Sequence, residues 1–388
     1  MKKVIMKISI THFTWIIVAI LLSPIISSCS QERQGNYTLT NTGSIAFKLD
    51  SDTKNDMFSY CLYEDSDKTY FTFQNRNSND ILFYDTDDQE LKFKIPPFIE
   101  GNNGVGLISG YYIHNLDSIY LTNMDIKEMS LINRNCIVLD KYSYEYDKDS
   151  TGLSLFYISG ALHKPAQQIG RKLYLYSGPN RYVEKDPVSI IFNMDTHEFQ
   201  SLPFYYPNYP GSDIKLKKYG LEDTFSRCFD GSQFIYSFYY DENIYVADPS
   251  HKTIQKIKIK SQYFNKVQLP DELKAQAEDF CVNAWYGNLL FDPYRNVYYR
   301  IAYPPATSLR KDIRPMELYQ YGRKNFSIII LDKDFNILGE TLFPDYTYNS
   351  WIIFVGKDGL YISDSHYLNP DFSDDVLSFQ KFELKAFQ

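Results

Sequence analysis

FSIIILDKDFNILGETL, Phe326 to Leu342, decides how the rest of the chain is read. It holds an apolar, β-branched run, Ser327 to Leu331, then an acidic turn at Asp332-Lys333-Asp334, then a second short strand from Ile337 to Leu342. Such a pattern predicts an antiparallel hairpin buried on both faces. Variants recur along the chain, as in ILFYDTDDQELKFKI at 81–95. The turn residues that close the equivalent strands are Asp85, Asn133, Asn193, Asp248 and Asp332, at spacings of 48, 60, 55 and 84. That is a repeat of roughly 40–50 residues stretched by insertions, the period of a propeller blade.

The expected fold is therefore all-β: a β-propeller of six four-stranded blades. Five full sets of strands and a final set of three account for residues 57–384, and Ser44 to Leu49 is a spare strand at the other end. Its pattern, SIAFKL, resembles the outer strands ELKFKI and TIQKIKI. It is expected to complete the last blade and close the ring, which hides sheet edges that would otherwise pair with other chains. Seven blades, or a sandwich with extra hairpins, are the alternatives. His163 to Gly170 and Pro304 to Arg323 read as insertions, and DELKAQAEDF at 271–280 as a helical turn.

Composition supports a large packed core: 44% hydrophobic and 17% aromatic residues, with 35 Tyr and 27 Phe, favour sheet. The formal charge is −8, and Lys2, Lys3 and Lys7 give residues 1–28 a charge of +3, so the remainder carries −11. No basic field exists to displace counterions from phosphates, and a nucleic-acid partner is not expected.

Residues 1–28 read as a signal peptide: a basic start, an apolar run from Phe13 to Leu22 too short to span a bilayer, and small residues before Cys29. Ile26-Ser27-Ser28-Cys29 resembles a bacterial lipobox, which makes Cys29 the expected lipidation site and membrane attachment point; an ordinary secretory signal is the alternative. Residues 29–43 are then the lipidated Cys and linker, and 44–388 a single propeller domain. The expected place is the cell envelope, as an outer-membrane lipoprotein on the periplasmic or surface side. Cys61, Cys136, Cys228 and Cys281 fall in different repeats without a CxxC or a Cys/His cluster. They read as small buried hydrophobes, and neither a metal site nor a cofactor is expected.

EGNNGVG at 100–106, HNLDSIYL at 114–121, DPYRNVYYR at 292–300 and KDGLY at 357–361, together with the lipobox, resemble a family of lipoproteins from Bacteroidetes-type bacteria, domain of unknown function 4221. The resemblance covers about residues 55–385. It implies a propeller-like fold and an envelope location, and brings no catalytic residue.

No nucleophile elbow, phosphate loop, dinucleotide fingerprint or zinc-protease helix is present. Gly101 to Gly106 lacks a following helix and reads as a turn between blades. Asp85 to Asp88 lacks the glycine and distal glutamate of a calcium loop and reads as a hairpin turn. Asp241-Glu242 reads as an exposed turn. The candidate ligand-binding residues are His114, Arg227, Arg295, Tyr298 and Arg300, because first strands line a propeller's channel and arginine forks suit carboxylate or sulfate. For Tyr298 and Arg300 the alternative is packing on one strand face plus an interblade ion pair, and for His114, His163 and Arg227 a hydrogen-bonded structural role. Phe204 to Pro210 offers aromatic surface for a sugar or protein contact. The function expected is a ligand- or partner-binding module for a glycan, a peptide or an envelope protein. The alternative is a hydrolase or lyase acting on envelope or dietary polysaccharide in the central channel. Acid, base and Arg at the axis would favour the enzyme, and an uncharged aromatic surface the binder.

Overall fold

The computed structural model describes residues 35–386 except 56, 76–77, 124–126, 145–157, 160–162, 179–186, 207–224, 270–276 and 307–308. The leader, Cys29 and the start of the linker lie outside the described residues. So do most of the first strand expected at 153–161, residues 207–210 of the aromatic stretch, and 271–276 of the expected helical turn.

Strand β1 (Tyr37–Lys48) opens the chain, and six antiparallel sheets follow from consecutive segments. Blade 1 is β2 (Met57–Asp65), β3 (Lys68–Asn75), β4 (Ile81–Asp85) and β5 (Leu91–Ile95). Blade 2 is β6 (Gly110–Asn115), β7 (Ser118–Asn123), β8 (Glu128–Ile132) and β9 (Val138–Ser143). Blade 3 holds β10 (Ile158–Ser159), β11 (Gln167–Ile169), β12 (Lys172–Ser177), β13 (Ser189–Asn193) and β14 (Glu198–Ser201). Blade 4 is β15 (Phe225–Phe229), β16 (Phe234–Phe238), β17 (Asn243–Ala247) and β18 (Ile254–Lys258). Blade 5 is β19 (Trp285–Asp292), β20 (Val297–Tyr303), β21 (Ser327–Leu331) and β22 (Ile337–Leu342). Blade 6 is β23 (Asn349–Gly356), β24 (Gly359–Ser363) and β25 (Val376–Ala386), with β1 as its outermost strand. The protein is a six-bladed β-propeller closed by its N-terminal strand.

Burial explains why the hairpin pattern was so apolar. The second and third strands of a blade lie between neighbouring blades, so β16, β20 and β21 are buried at every residue. Outer strands such as β18 are mostly exposed. The repeated turns share one device. The side chains of Asp85, Asn133, Asn193, Asp248 and Asp332 each accept a backbone N–H two residues on, at 2.9–3.0 Å. Three or four residues later stands a left-handed residue: Gln89, Cys136, His197, His251 or Phe335, with φ between 54° and 64°. The side-chain oxygen thus ties down the turn that would otherwise leave amides unpaired.

β1, the first strand of blade 3 and the insertion of blade 5 differ from the sequence reading. β1 starts at Tyr37 rather than Ser44, because β25 is long enough to pair with it from Tyr37↔Ala386 to Lys48↔Val376. The expected insertion at 163–170 contains β11, which pairs with β12 beside β10. The first strand of blade 3 is therefore interrupted, with His163 to Ala166 in the gap. Among the described residues there are two short helices: α1 (Ala277–Val282), within and just beyond the expected helical turn, and α2 (Pro315–Gln320), inside the insertion of blade 5, with proline in its first turn.

Candidate functional site

The gap in blade 3 shapes the site. His163 O accepts the Arg227 N–H and the Ser226 hydroxyl, both at 3.0 Å, and Pro165 O accepts Arg227 Nη2 at 3.1 Å. The Lys164 ammonium is buried 4.4 Å from the ring centroids of both Tyr176 and Phe225, a desolvated cation held by aromatic faces. The His163 ring lies between Tyr239 and Trp351, at 6.1 and 6.2 Å. Burial, with Lys164 adding to it, drops its pKa to about 3, so the imidazole is neutral.

Against this segment lies a cavity of about 180 Å³, lined by Ser59–Tyr63 of β2, Tyr111–Ile113 of β6, Pro165 and Ala166. It sits where the first strands of blades 1 and 2 face the interrupted strand of blade 3. The lining is neutral: phenols, a hydroxyl, a thiol and apolar surface. Tyr60 OH donates to Ile353 O at 2.8 Å and accepts Ile353 N–H at 2.8 Å. Thr72 and Tyr111 share a 2.8 Å hydrogen bond behind Cys61, and Tyr112 OH donates to Gln168 Oε1 at 3.1 Å. Burial raises the pKa of Tyr60, Tyr111 and Tyr112, so these phenols stay protonated. It raises Cys61 too, against its hydrogen bonds with Thr72 and Tyr111, which leaves a thiol and not a nucleophilic thiolate. Such a surface can hold a small hydroxylated or aromatic group by hydrogen bonds and van der Waals contact. It offers no general acid or base poised near neutral pH.

The residues singled out in the sequence do not meet at this cavity. His114 is exposed at the end of β6, where the register shifts between Ile113 and Asn115. Arg227 spans blades 4 and 3, donating to Tyr174 O at 2.8 Å, Leu175 O at 3.2 Å and Ser189 Oγ at 2.8 Å. Arg300 spans blades 5 and 4, donating to Asp241 O at 2.6 Å and to Glu242 O, Ile259 O and Ser237 Oγ at 3.0 Å. Tyr298, on the same face of β20, donates to Asp230 Oδ2 at 2.7 Å. Arg295 is paired with Asp292 and reaches blade 6 through Gly356 O at 2.8 Å. The Tyr60 bond joins blades 6 and 1, Thr72 with Tyr111 joins 1 and 2, and Tyr112 with Gln168 joins 2 and 3. Every interface of the ring thus has a polar tie, and four of the five flagged residues, all but His114, form ties of their own.

Sequence reading passed over Tyr60, Tyr111 and Tyr112, which lie in strands indistinguishable from other blade core. It also passed over Arg323, which is buried between Trp285 and Tyr303 and donates to Cys281 O and Asn283 O. All four cysteines of the described residues are free, Cys61 half-buried and the others buried. Among the described residues no cluster of three or more His, Cys, Asp or Glu side chains could hold a metal, and no helix is long and apolar enough to cross a membrane.

Residues 36–342 match the profile of the family described as "Domain of unknown function (DUF4221)". The chain belongs to this family. A solved DUF4221 member from Bacteroides vulgatus is 25% identical, with 91% of this chain and 100% of that one covered and a TM-score of 0.77. A solved protein from Bacteroides fragilis, named as a candidate exported protein, is 9% identical over 91% of this chain and 96% of that one, with a TM-score of 0.51. That second likeness is one of fold alone. No curated protein matches the chain.

Proposed function

We propose that this DUF4221 protein is a lipid-anchored binding module of the cell envelope, which takes a small, uncharged, hydroxyl-bearing group into the cavity between blades 1, 2 and 3. The observation that carries the reading is the lining itself: protonated phenols and apolar walls in a concave site, without an ionised group. A single neutral sugar ring, free or at the end of a glycan, has matching chemistry, since its hydroxyls pair with phenols and its apolar face lies on aromatic or proline surface. The cavity is smaller than the roughly 300–1,000 Å³ of drug-sized sites, so it suits one ring and not a chain of them. The same lining supports binding over hydrolysis of polysaccharide. Cys29 is the proposed anchor, and the outer membrane, on its periplasmic or surface side, the proposed place.

Isothermal titration of residues 30–388 with neutral and acidic monosaccharides tests this. A neutral sugar is expected to bind saturably, to bind more weakly to Tyr112→Phe, and to be recovered unchanged after incubation. Binding confined to acidic sugars, binding undisturbed by Ala166→Leu, or appearance of products would overturn the reading.

A further inference from the structure

We infer that the propeller stands on the bilayer by the rim of blades 5 and 6 on its turn-bearing face, and holds the opposite face away from the membrane. The inference rests on the anchor at Cys29 proposed above. Strands alternate in direction within each blade, so the turns after first and third strands fall on one face of the ring, and the connections after second strands on the other. β1 is the fourth strand of blade 6, and it begins opposite Ala386, the end of the third. The chain therefore enters the ring from the turn face.

That entry point is pinned. A Cβ on Gly35 would come 1.8 Å from Leu338 O, and one on Gly339 would come 1.9 Å from Tyr37 O, so the two backbones lie in direct contact. Thr341 Oγ1 adds bonds to Leu39 N–H at 2.9 Å and Thr38 Oγ1 at 3.0 Å. Eight residues lead from Cys29 to Tyr37, a reach of about 27 Å when fully extended. A short tether to a pinned point holds that rim near the lipid.

The rim has the side chains for the contact. Tyr37 and Ile337 are 37% exposed and Tyr294 is 48% exposed. They stand at the start of β1, after the β21–β22 turn and in the β19–β20 turn. The exposed Lys333, Lys357 and Lys385 belong to the same rim, with apolar stems and charged heads suited to a headgroup layer. Each of these lysines has an acidic partner, Asp334, Glu64 and Glu383 in turn, so the rim's charges balance, and the short tether and the exposed Tyr37, Ile337 and Tyr294 set the contact.

The test uses the full chain, processed in a bacterial host and reconstituted into phosphatidylethanolamine–phosphatidylglycerol vesicles. The mass of the N-terminal peptide and co-flotation with vesicles read the anchor first; a protein that neither carries lipid nor floats overturns both proposals. On anchored protein, an environment-sensitive fluorophore at Ile337→Cys or Tyr294→Cys is expected to shift to the blue and lose emission to doxyl-labelled lipid. At Met316→Cys, 66% exposed in the β20–β21 connection on the opposite face, it keeps its aqueous spectrum. Anchored protein in which all three labels behave alike would overturn the orientation and leave the anchor standing.

Discussion

The Arg300 guanidinium lies 3.7 Å from the centroid of the Tyr286 ring, and neither residue is more than 1% exposed. Its donors meet carbonyls of blade 4, so a full positive charge sits inside the ring, held by dipoles and a ring face. Arg300→Met keeps much of the volume but strands the carbonyls of Asp241, Glu242 and Ile259. We expect a loss of about 3–5 kcal/mol in urea unfolding. Arg300→Lys should recover little, because one ammonium cannot replace the fork. A Lys variant as stable as the native protein would contradict this account of the clamp.

Gly339 tests the seating of the N-terminal strand. The methyl of Gly339→Ala meets Tyr37 O, and the backbone of blade 5 cannot yield without breaking the β21–β22 ladder. A destabilisation of roughly 1–3 kcal/mol is expected. It should come with faster amide exchange at 37–41 and little change in blades 1 to 3. Uniform exchange across the ring would show that the contact is not local.

Three histidines, His251 and His366 buried and His163 half-buried, set the response to acid. His251 accepts Tyr236 OH through Nε2 at 2.5 Å and faces Arg227 and Asp248; burial is the main cause that brings its pKa to about 4. His366 also falls to about 4 by burial and His163 to about 3. A folded-state pKa below the unfolded value near 6.5 means that the unfolded chain binds more protons between the two. Stability from these groups is complete above pH 6.5 and falls as pH drops toward 4. Glu340, raised by burial, acts in the opposite sense from 4.5 upward. We expect the urea midpoint to drop between pH 7 and pH 5 at an unchanged slope, and the drop to shrink in His251→Gln. A midpoint flat over that range would refute it.

Asp332 probes the repeated turn. Its carboxylate accepts Asp334 N–H at 2.9 Å and Asn336 N–H at 2.8 Å, and Phe335 takes φ 64° next to them. Asp332→Ala should cost roughly 1 kcal/mol, and Asp332→Asn much less, because its amide oxygen accepts the same bonds. Equal losses in both would mean that charge, not the Asx turn, matters.

The same turn explains what could be read from sequence. Asp85, Asn133, Asn193, Asp248 and Asp332 act on amides two residues away, so their spacing exposed the blades without any knowledge of contacts. The apolar runs before them, and the spare strand at Ser44 to Leu49, completed the ring. β11 was hidden because Gln167-Gln168-Ile169 is three residues long and pairs only by virtue of its place beside β12. α2 was hidden inside a stretch that reads as loop. Tyr298 and Arg300 stood out by alternation on β20, and both do point at blade 4. The cavity could not be read, since Tyr60, Tyr111 and Pro165 come from three blades and each looks like ordinary packing.

Modification of Cys61 tests the central claim, that a neutral cavity between blades 1, 2 and 3 is open to a small ligand. Its thiol lines the cavity, whereas Cys136, Cys228 and Cys281 are buried in the core. Native protein is treated with a neutral hydroxyethyl and an anionic sulfonatoethyl methanethiosulfonate of similar size, and the labelled peptides are weighed. Cys61 is expected to react first of the four, and faster with the neutral reagent. A Cys61 as inert as Cys228, or one that prefers the anion, would contradict it.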